Sequence, residues 1–589
     1  MSKLISSLLL FILIFISCKN EIQNKEGTTT NQKPTTNQTL YFGGEIITME
    51  GAPGSSVEAI VSENDKIIFT GKYSKGLKEF PQANLFDLKG NTMFPGLIEQ
   101  HLHPFLGALT LVMSVIAPEP WELPNKTWDG VYTPNDYMAS LKKIENEMDN
   151  PNEILMTWGY HHNFHGELSR EILDKISNTR PILVWHRSCH EFYLNSVLMD
   201  QLGLSQDWAD KFGKEVASQI SIPKGHFYEA GAMLALLPKI FPIIGTNERI
   251  EKGLVQMVQI LRSNGVTAYN EPGAFILPEH VPIYNKILAA DDVPMYSFFT
   301  PETKTPYFMH KKEGAEAVVN AVEDITKMFP ETGKIRFFKK TVKLLIDGAI
   351  ISQLMMMKDG YLDDHHGEWI QPPQEISEVF DIFWERDYQI LIHVNGDKGL
   401  EELLKVIERK MKEHPRVDHR TTIIHFANSN EEQVKRIAEL GCIVSVNPYY
   451  VTAFSDKYAE VGLGPERANS MVRSASVEKL EVPISLHSDL PMAPSDPLYL
   501  AWCATTRETL NGNHPRPDLR LSLHQAMRGI TIDAAQSWRM EDELGSIKKG
   551  KIANFTILKE NPYKVGADKL KDIEILGTVF EGKHFPINK

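Results

Sequence analysis

Between about residue 340 and residue 510 the chain keeps one rhythm: a short, mostly apolar run, then a longer amphipathic stretch. Lys343–Ile346 precedes Gln374–Arg386, Ile390–Val394 precedes Lys398–Lys412, and Thr421–His425 precedes Asn430–Leu440. After Cys442–Val446, Ile484–Asp489 precedes Pro497–Thr509. Runs that are apolar on both faces suit strands buried on both sides, which means a parallel sheet whose crossovers are helices. This many units predict an α/β fold closed into a TIM (β/α)8 barrel.

The ends have a different texture. Strand-like runs with turn residues occupy Leu40–Met49, Ala59–Thr70 and Ala83–Asp87, and again Gly545–Lys551, Asn554–Leu558, Ile573–Phe580 and Gly582–Phe585. They predict one small β-sandwich composed of 40–92 plus 543–587, flanking a barrel over 93–542. Residues 121–242 break the rhythm with a helix at Tyr137–Met148 and a strand at Ile182–His186, so they are predicted as an α+β insertion. Ahead of all this, Met1–Ser17 reads as a signal peptide: Lys3 supplies the charge, and Leu8–Ile16 is apolar but too short to span a bilayer. Phe15-Ile16-Ser17-Cys18 resembles a lipobox, so Cys18 is the expected lipidation site of an exported bacterial lipoprotein, membrane-anchored and periplasmic or cell-surface. Residues 18–39, rich in Asn, Gln, Thr and Lys, are expected to be a tether.

Four cysteines in 589 residues exclude a disulfide scaffold, and Cys442 and Cys503 sit in apolar runs that suit burial. A net charge of −14 with no basic stretch argues against a nucleic-acid partner. Monomeric and oligomeric states both stay open.

The chemistry gathers at strand ends. In Met93 to Pro104, His101 and His103 lie two residues apart, so a strand projects both from one face, where they can hold one metal. His393 closes Tyr388–His393, His425 closes Thr421–His425, and Asp489 closes Val482–Asp489. A barrel carries its chemistry at such ends. Lys343 alternates with Val342 and Leu344 inside a buried strand, a costly position unless the amine is paired or neutralised. Carbamylation would turn it into an anionic bridge between two cations; pairing with Asp347 at the barrel rim is the alternative.

Together these residues resemble the metal-dependent amidohydrolase superfamily, and within it amidohydrolase family 3, in the N-substituted formamide deformylase-like branch. The likeness runs from about Thr39 to Pro586. The family's Pro-Gly-Phe-Ile-Asp-x-His-x-His stands as Pro95 to His103, with Leu97 and Glu99 as conservative changes. Its Val-Lys-x-x-x-Asp-Gly is Val342 to Gly348, and its His-Ala-x-Gly-Asp is His393 to Asp397. Ile424-His425 matches Glu-His, His487 to Pro491 matches Gly-Ser-Asp-x-Pro, and Gly545 to Asn554 matches the closing turn motif.

The resemblance implies that His101, His103 and Asp489 bind one divalent metal, and that carbamylated Lys343 bridges to a second held by His393 and His425. Zinc is the first expectation, because nitrogen ligands suit it. It implies hydrolysis of an amide or formamide-type C–N bond in a small molecule through a metal-bound hydroxide, with Asp489 as the catalytic proton carrier. His190 and Glu229 match positions expected to contact substrate. His487 replaces a glycine on the same strand face and is expected either to narrow the pocket, touching substrate, or to add a hydrogen bond behind the ligands, rather than to bind metal. Gln353 stands where relatives often carry arginine, which puts an anionic substrate group in doubt. Two other readings stay open: a mononuclear deaminase with Lys343 unmodified, and a catalytically silent ligand-binding lipoprotein.

Overall fold

The computed structural model describes residues 37–274 and 276–587, so the signal run, Cys18 and most of the tether lie outside the described residues. Eight strands carry the candidate chemistry: β1 (Leu97–Glu99), β2 (Val266–Ala274), β3 (Tyr296–Pro301), β4 (Thr341–Leu345), β5 (Gln389–Val394), β6 (Thr422–His425), β7 (Ile443–Val446) and β8 (Ile484–Leu486). β1, β2 and β3 pair in parallel, with the short strand Ile335–Phe337 added beside β3. β4 to β8 pair in parallel in chain order.

Two seams join these sheets. Beyond β3, Glu302 forms a parallel bridge with Lys343, and the Thr303 amide and hydroxyl each donate to the Lys343 carbonyl at 3.0 Å. At the other edge the Asp489 amide donates to the His101 carbonyl at 2.9 Å, and the Ser488 amide donates to Glu99 Oε1 at 2.9 Å. Ile390, Leu391 and Ile392 on successive positions of β5 are all buried, as a strand covered on both faces requires.

The crossover helices follow from the sequence pattern. Asp397–Glu413 buries Leu400, Leu403, Leu404 and Ile407 along one stripe of helical period. Glu431–Glu439 begins at Asn430, whose side chain accepts from the Gln433 amide while Gln433 reaches back to the Asn430 amide. Two expected elements are shorter than the sequence suggested. β8 stops at Leu486 rather than Asp489, and the following helix stops at Thr506. Asp489 takes φ 58°, a left-handed conformation that ends extension three residues past the strand.

Strands from both ends of the chain interleave. Thr92–Pro95 pairs antiparallel with Phe555–Leu558 inside a six-stranded sheet that also holds Glu45–Ile47 and Ile575–Phe580. A four-stranded sheet built from residues 38–87 packs against it. Tyr41, Ile60 and Ile67 from the smaller sheet share a core with Ile46, Met93, Phe555, Ile557 and Val579 from the larger. The interrupting segment forms its own six-stranded sheet, which begins with Ser114–Val115 and so starts ahead of the expected residue 121. Cys189, Cys442 and Cys503 are all free and buried. No described helix is long and apolar enough to cross a membrane.

Candidate metal centre

His101, His103 and Asp489 meet where β1 and β8 end. His101 Nε2 lies 3.1 Å from His103 Nε2 and 3.3 Å from Asp489 Oδ1, and His103 Nε2 lies 3.2 Å from the same oxygen. Ligands ~2.0–2.1 Å from a tetrahedral zinc ion sit roughly 3.3–3.4 Å apart. These donors therefore already have the spacing that one ion requires. The seam hydrogen bond between the Asp489 amide and the His101 carbonyl sets that spacing through the backbone.

The second half of the expected set is looser. The His393 and His425 rings stand with centroids 4.5 Å apart, and His425 Nδ1 is 3.8 Å from Asp489 Oδ2. Asn395 donates to the Gly348 carbonyl at 3.2 Å and to His393 Nε2 at 3.0 Å, so that nitrogen is already engaged. Lys343 is buried, and its ammonium has no hydrogen-bond partner among the described residues. The rim pairing with Asp347 does not form. The Asp347 carboxylate instead accepts the amides of Met356, Asn395 and Gly396 at 2.8–2.9 Å.

His487 is fully buried inside this cluster. Its Nε2 lies 3.3 Å from His425 Nδ1, and its ring stacks on that of His101 with centroids 4.9 Å apart. Two groups of three donors fit within the reach of one ion here: His101, His103 and Asp489, and His101, His425 and His487. His393 belongs to neither.

Burial drives the electrostatics. It pulls Lys343 down to about 7, against a smaller upward pull from Asp489. Burial also holds His101, His393, His425 and His487 well below the usual imidazole value, and the Lys343 charge adds to the effect in all four. These imidazoles are neutral near pH 7 and can donate lone pairs. His103 differs: burial lowers it, but Asp489 and Glu271 more than offset that and push it up to about 9. Burial raises Glu99 to about 7, while its oxygens accept from the Ser488 amide at 2.9 Å and the Ser495 hydroxyl at 2.8 Å.

The insertion delivers its two expected residues as a pair. His190 Nδ1 meets Glu229 Oε2 at 3.0 Å, and Glu229 takes φ 43° as its amide reaches the His190 carbonyl. The His190 charge adds to the lowering of His393, after burial and Lys343. Burial lifts the neighbouring Cys189 thiol to about 12, so it supplies no thiolate nucleophile near neutral pH.

Several supporting residues were missed by reading the sequence. Glu271 lies within β2, three residues before its end, and sits 3.6 Å from His103 Nδ1. Tyr450 OH lies 3.2 Å from His425 Nδ1. Arg187, paired with Glu119 in full burial, donates to the Pro491 and Met492 carbonyls at 3.0 and 2.9 Å and so clamps the loop behind Asp489. No local pattern marks that contact.

A third close group, His161, His162 and His186, lies in the insertion. Its protons are already assigned by hydrogen bonds. The Asn163 amide donates to His161 Nδ1 at 3.3 Å, so Nε2–H donates to Tyr458 OH at 3.0 Å, whose own proton goes to the Ile351 carbonyl. The Ser188 amide donates to His186 Nδ1 at 3.1 Å, so Nε2–H donates to His162 Nδ1 at 3.3 Å.

A profile of the amidohydrolase family matches residues 84–585, which takes in both seams and every residue of the cluster. The chain belongs to the amidohydrolase family. It is a hydrolase that acts on carbon–nitrogen bonds. YtcJ of Bacillus subtilis (strain 168) is 23% identical over 566 residues, covering 92% of this chain and 98% of YtcJ. N-substituted formamide deformylase of Arthrobacter pascens is 23% identical over 553 residues, covering 90% of this chain and 95% of the relative. Among solved structures, an uncharacterized metal-dependent hydrolase from Pyrococcus horikoshii OT3 superposes with a TM-score of 0.67 at 19% identity, covering 89% of this chain and 98% of the other. That likeness extends to the fold alone.

Proposed function

We propose that this amidohydrolase is metal-dependent and cleaves an amide or formamide-type C–N bond of a small molecule. The observation that carries the reading is the spacing of 3.1–3.3 Å among His101 Nε2, His103 Nε2 and Asp489 Oδ1, reached from two separate strand ends. We read β1 to β8 as a TIM barrel over 93–542, the interleaved terminal strands as a β-sandwich, and the segment around 121–242 as an insertion. The two seams and the shared sheet core support that division.

In the finer reading His101, His103 and Asp489 would hold one ion and His393, His425 and carbamylated Lys343 would supply the ligands of a second, with zinc favoured by the nitrogen-rich donor set. A divalent ion there supplies Lewis acidity and lowers the pKa of a water at the site to ~7. The protein's part is proton handling and orientation. Asp489 directs Oδ1 at His101 and His103 and leaves Oδ2 free to take a proton and pass it to the leaving nitrogen. Glu271 fixes the His103 ring from behind, as carboxylates do for ligating histidines. His190, held by Glu229, orients the substrate from the insertion. Burial pulls Lys343 down to about 7, so near neutral pH a substantial share of it has the free amine that carbamylation needs.

The test is amine release from a panel of N-formyl and N-acyl compounds by protein stripped of metal and then reloaded with zinc or cobalt. Release that depends on metal is expected; folded, metal-loaded protein that cleaves none of the panel sinks the reading. A mononuclear centre is the second reading, favoured because His393 stands outside both close donor groups and its Nε2 is already met by Asn395. About one metal per chain, unchanged in Lys343→Ala, selects it over the binuclear one.

For location, the lipobox-like run ending at Cys18 supports an exported, lipid-anchored protein. Cys18→Ser should then lose detergent-phase partitioning and palmitate labelling. Unchanged membrane association in that variant would point to an uncleaved helix instead.

A further inference from the structure

His487 is the residue of the cluster that the family pattern does not supply, since a glycine stands there in the motif it otherwise matches. The hydrogen bonds behind it run in one direction. The Ser537 hydroxyl donates to the Ala534 carbonyl at 2.7 Å, so its oxygen accepts from Gln100 Nε2 at 3.1 Å. That fixes the Gln100 amide, whose Oε1 accepts the Ser445 hydroxyl at 2.7 Å. A hydroxyl has one proton, and that of Ser445 is now committed. The Ser445 oxygen, 2.8 Å from His487 Nδ1, must therefore accept Nδ1–H. A neutral imidazole with its proton on Nδ1 carries its lone pair on Nε2.

That lone pair is aimed at the cluster, because Nε2 lies 3.3 Å from His425 Nδ1. The spacing matches that of the His101–His103–Asp489 group. The ring has no freedom to turn away: it stacks on His101 at an interplanar angle of 27°, meets His425 edge-on, and is fully buried.

We propose that His487 is a metal ligand through Nε2, alongside His425, and that the Ser537–Gln100–Ser445 chain is the positioning device that holds it in the ligating tautomer. This rests on the metal-centre reading above and adds to it a third imidazole on the second pole. The relay residues act through His487 and touch no substrate. A pole with this added nitrogen ligand favours cobalt, nickel and zinc over magnesium.

The experiment is titration of the metal-stripped full chain with Co²⁺, followed by the visible ligand-field bands and by competition with a chelator. In the unaltered protein the bands should report nitrogen-rich, low-symmetry sites. His487→Ala should weaken the second binding event by at least tenfold and shift its bands, while leaving the event that needs His101. Ser445→Ala leaves every ligand in place, and should weaken the same event in the same direction by ~10–100-fold, the usual cost of removing a partner behind a ligating histidine. Ser445→Thr, which keeps the hydroxyl, should restore it. If His487→Ala proves unstable, Ser445→Ala and its rescue carry the test alone. Bands and affinity unchanged in both variants would overturn the proposal while the metal centre stands. No Co²⁺ binding by the unaltered protein would overturn the metal-centre reading itself, and this one with it.

Discussion

Two clusters of histidine lie among the described residues, and they are opposites. His161, His162 and His186 in the insertion gather closely enough for one ion, yet backbone amides, Tyr458 and one another take up every ring nitrogen but one. At the strand ends, His101 Nδ1 and Lys343 Nζ have no hydrogen-bond partner among the described residues. Buried polar groups are normally satisfied, so an unsatisfied cluster marks a place that something else completes. The comparison shows that counting histidines finds both clusters, whereas following their protons separates packing from chemistry.

The largest effect should come from Asp489, which only the strand-end cluster has. Asp489→Asn keeps the shape and one oxygen ligand but cannot carry a proton near neutral pH. Turnover on an N-acyl or N-formyl substrate should fall by ~10²–10⁴-fold with the circular dichroism spectrum unchanged. Near-normal turnover would move proton transfer to another residue and remove half of the contrast.

Next is the cost of leaving Lys343 unpartnered. Its folded value of about 7 lies far below the ~10.4 of an unfolded lysine. Between those values the unfolded chain holds a proton that the folded one lacks, so stability rises with pH across that window. The penalty is complete below about 7, where both states are protonated, and gone above ~10.4. At ~1.4 kcal/mol per pKa unit it amounts to several kcal/mol. Urea unfolding of metal-stripped protein should show a higher midpoint at pH 9 than at pH 6.5, and Lys343→Met should flatten that difference. Equal midpoints for the unaltered protein would mean that the amine has a partner after all.

The smallest effect should come from the satisfied cluster. His161→Phe deletes the acceptor for the Asn163 amide and the donor to Tyr458, and should cost about 1–3 kcal/mol of stability. Bound metal per chain should not change. A drop in metal content would make the insertion a second metal site and abolish the distinction drawn above.

Much of the cluster was legible because parallel strands buried on both faces make polar residues at their ends conspicuous against apolar runs. His101, His103, His393, His425 and Asp489 stood out this way, and Lys343 stood out as a lysine between Val342 and Leu344. Glu271 lies inside β2 rather than at its end, so the strand-end pattern does not single it out. Arg187 could not have been read, because its bonds to the Pro491 and Met492 carbonyls join segments about three hundred residues apart. His487 was legible as a departure from the family, but its protonation pattern was not. That depends on Gln100, Ser445 and Ser537, drawn from three distant parts of the chain.

By itself, then, the sequence determined the strand–helix alternation, the interleaving of β segments from both ends, and the identity of the donors. Each of these follows from local periodicity, side-chain type and burial preference, which are properties of short stretches of chain. Tertiary structure decided which donors share a point, which ones a hydrogen bond has already claimed, and which buried groups are left unpaired. Those outcomes depend on distances between segments that only the closed fold brings together. They depend also on where a single proton sits in a chain of hydrogen bonds, which no run of residues can encode alone.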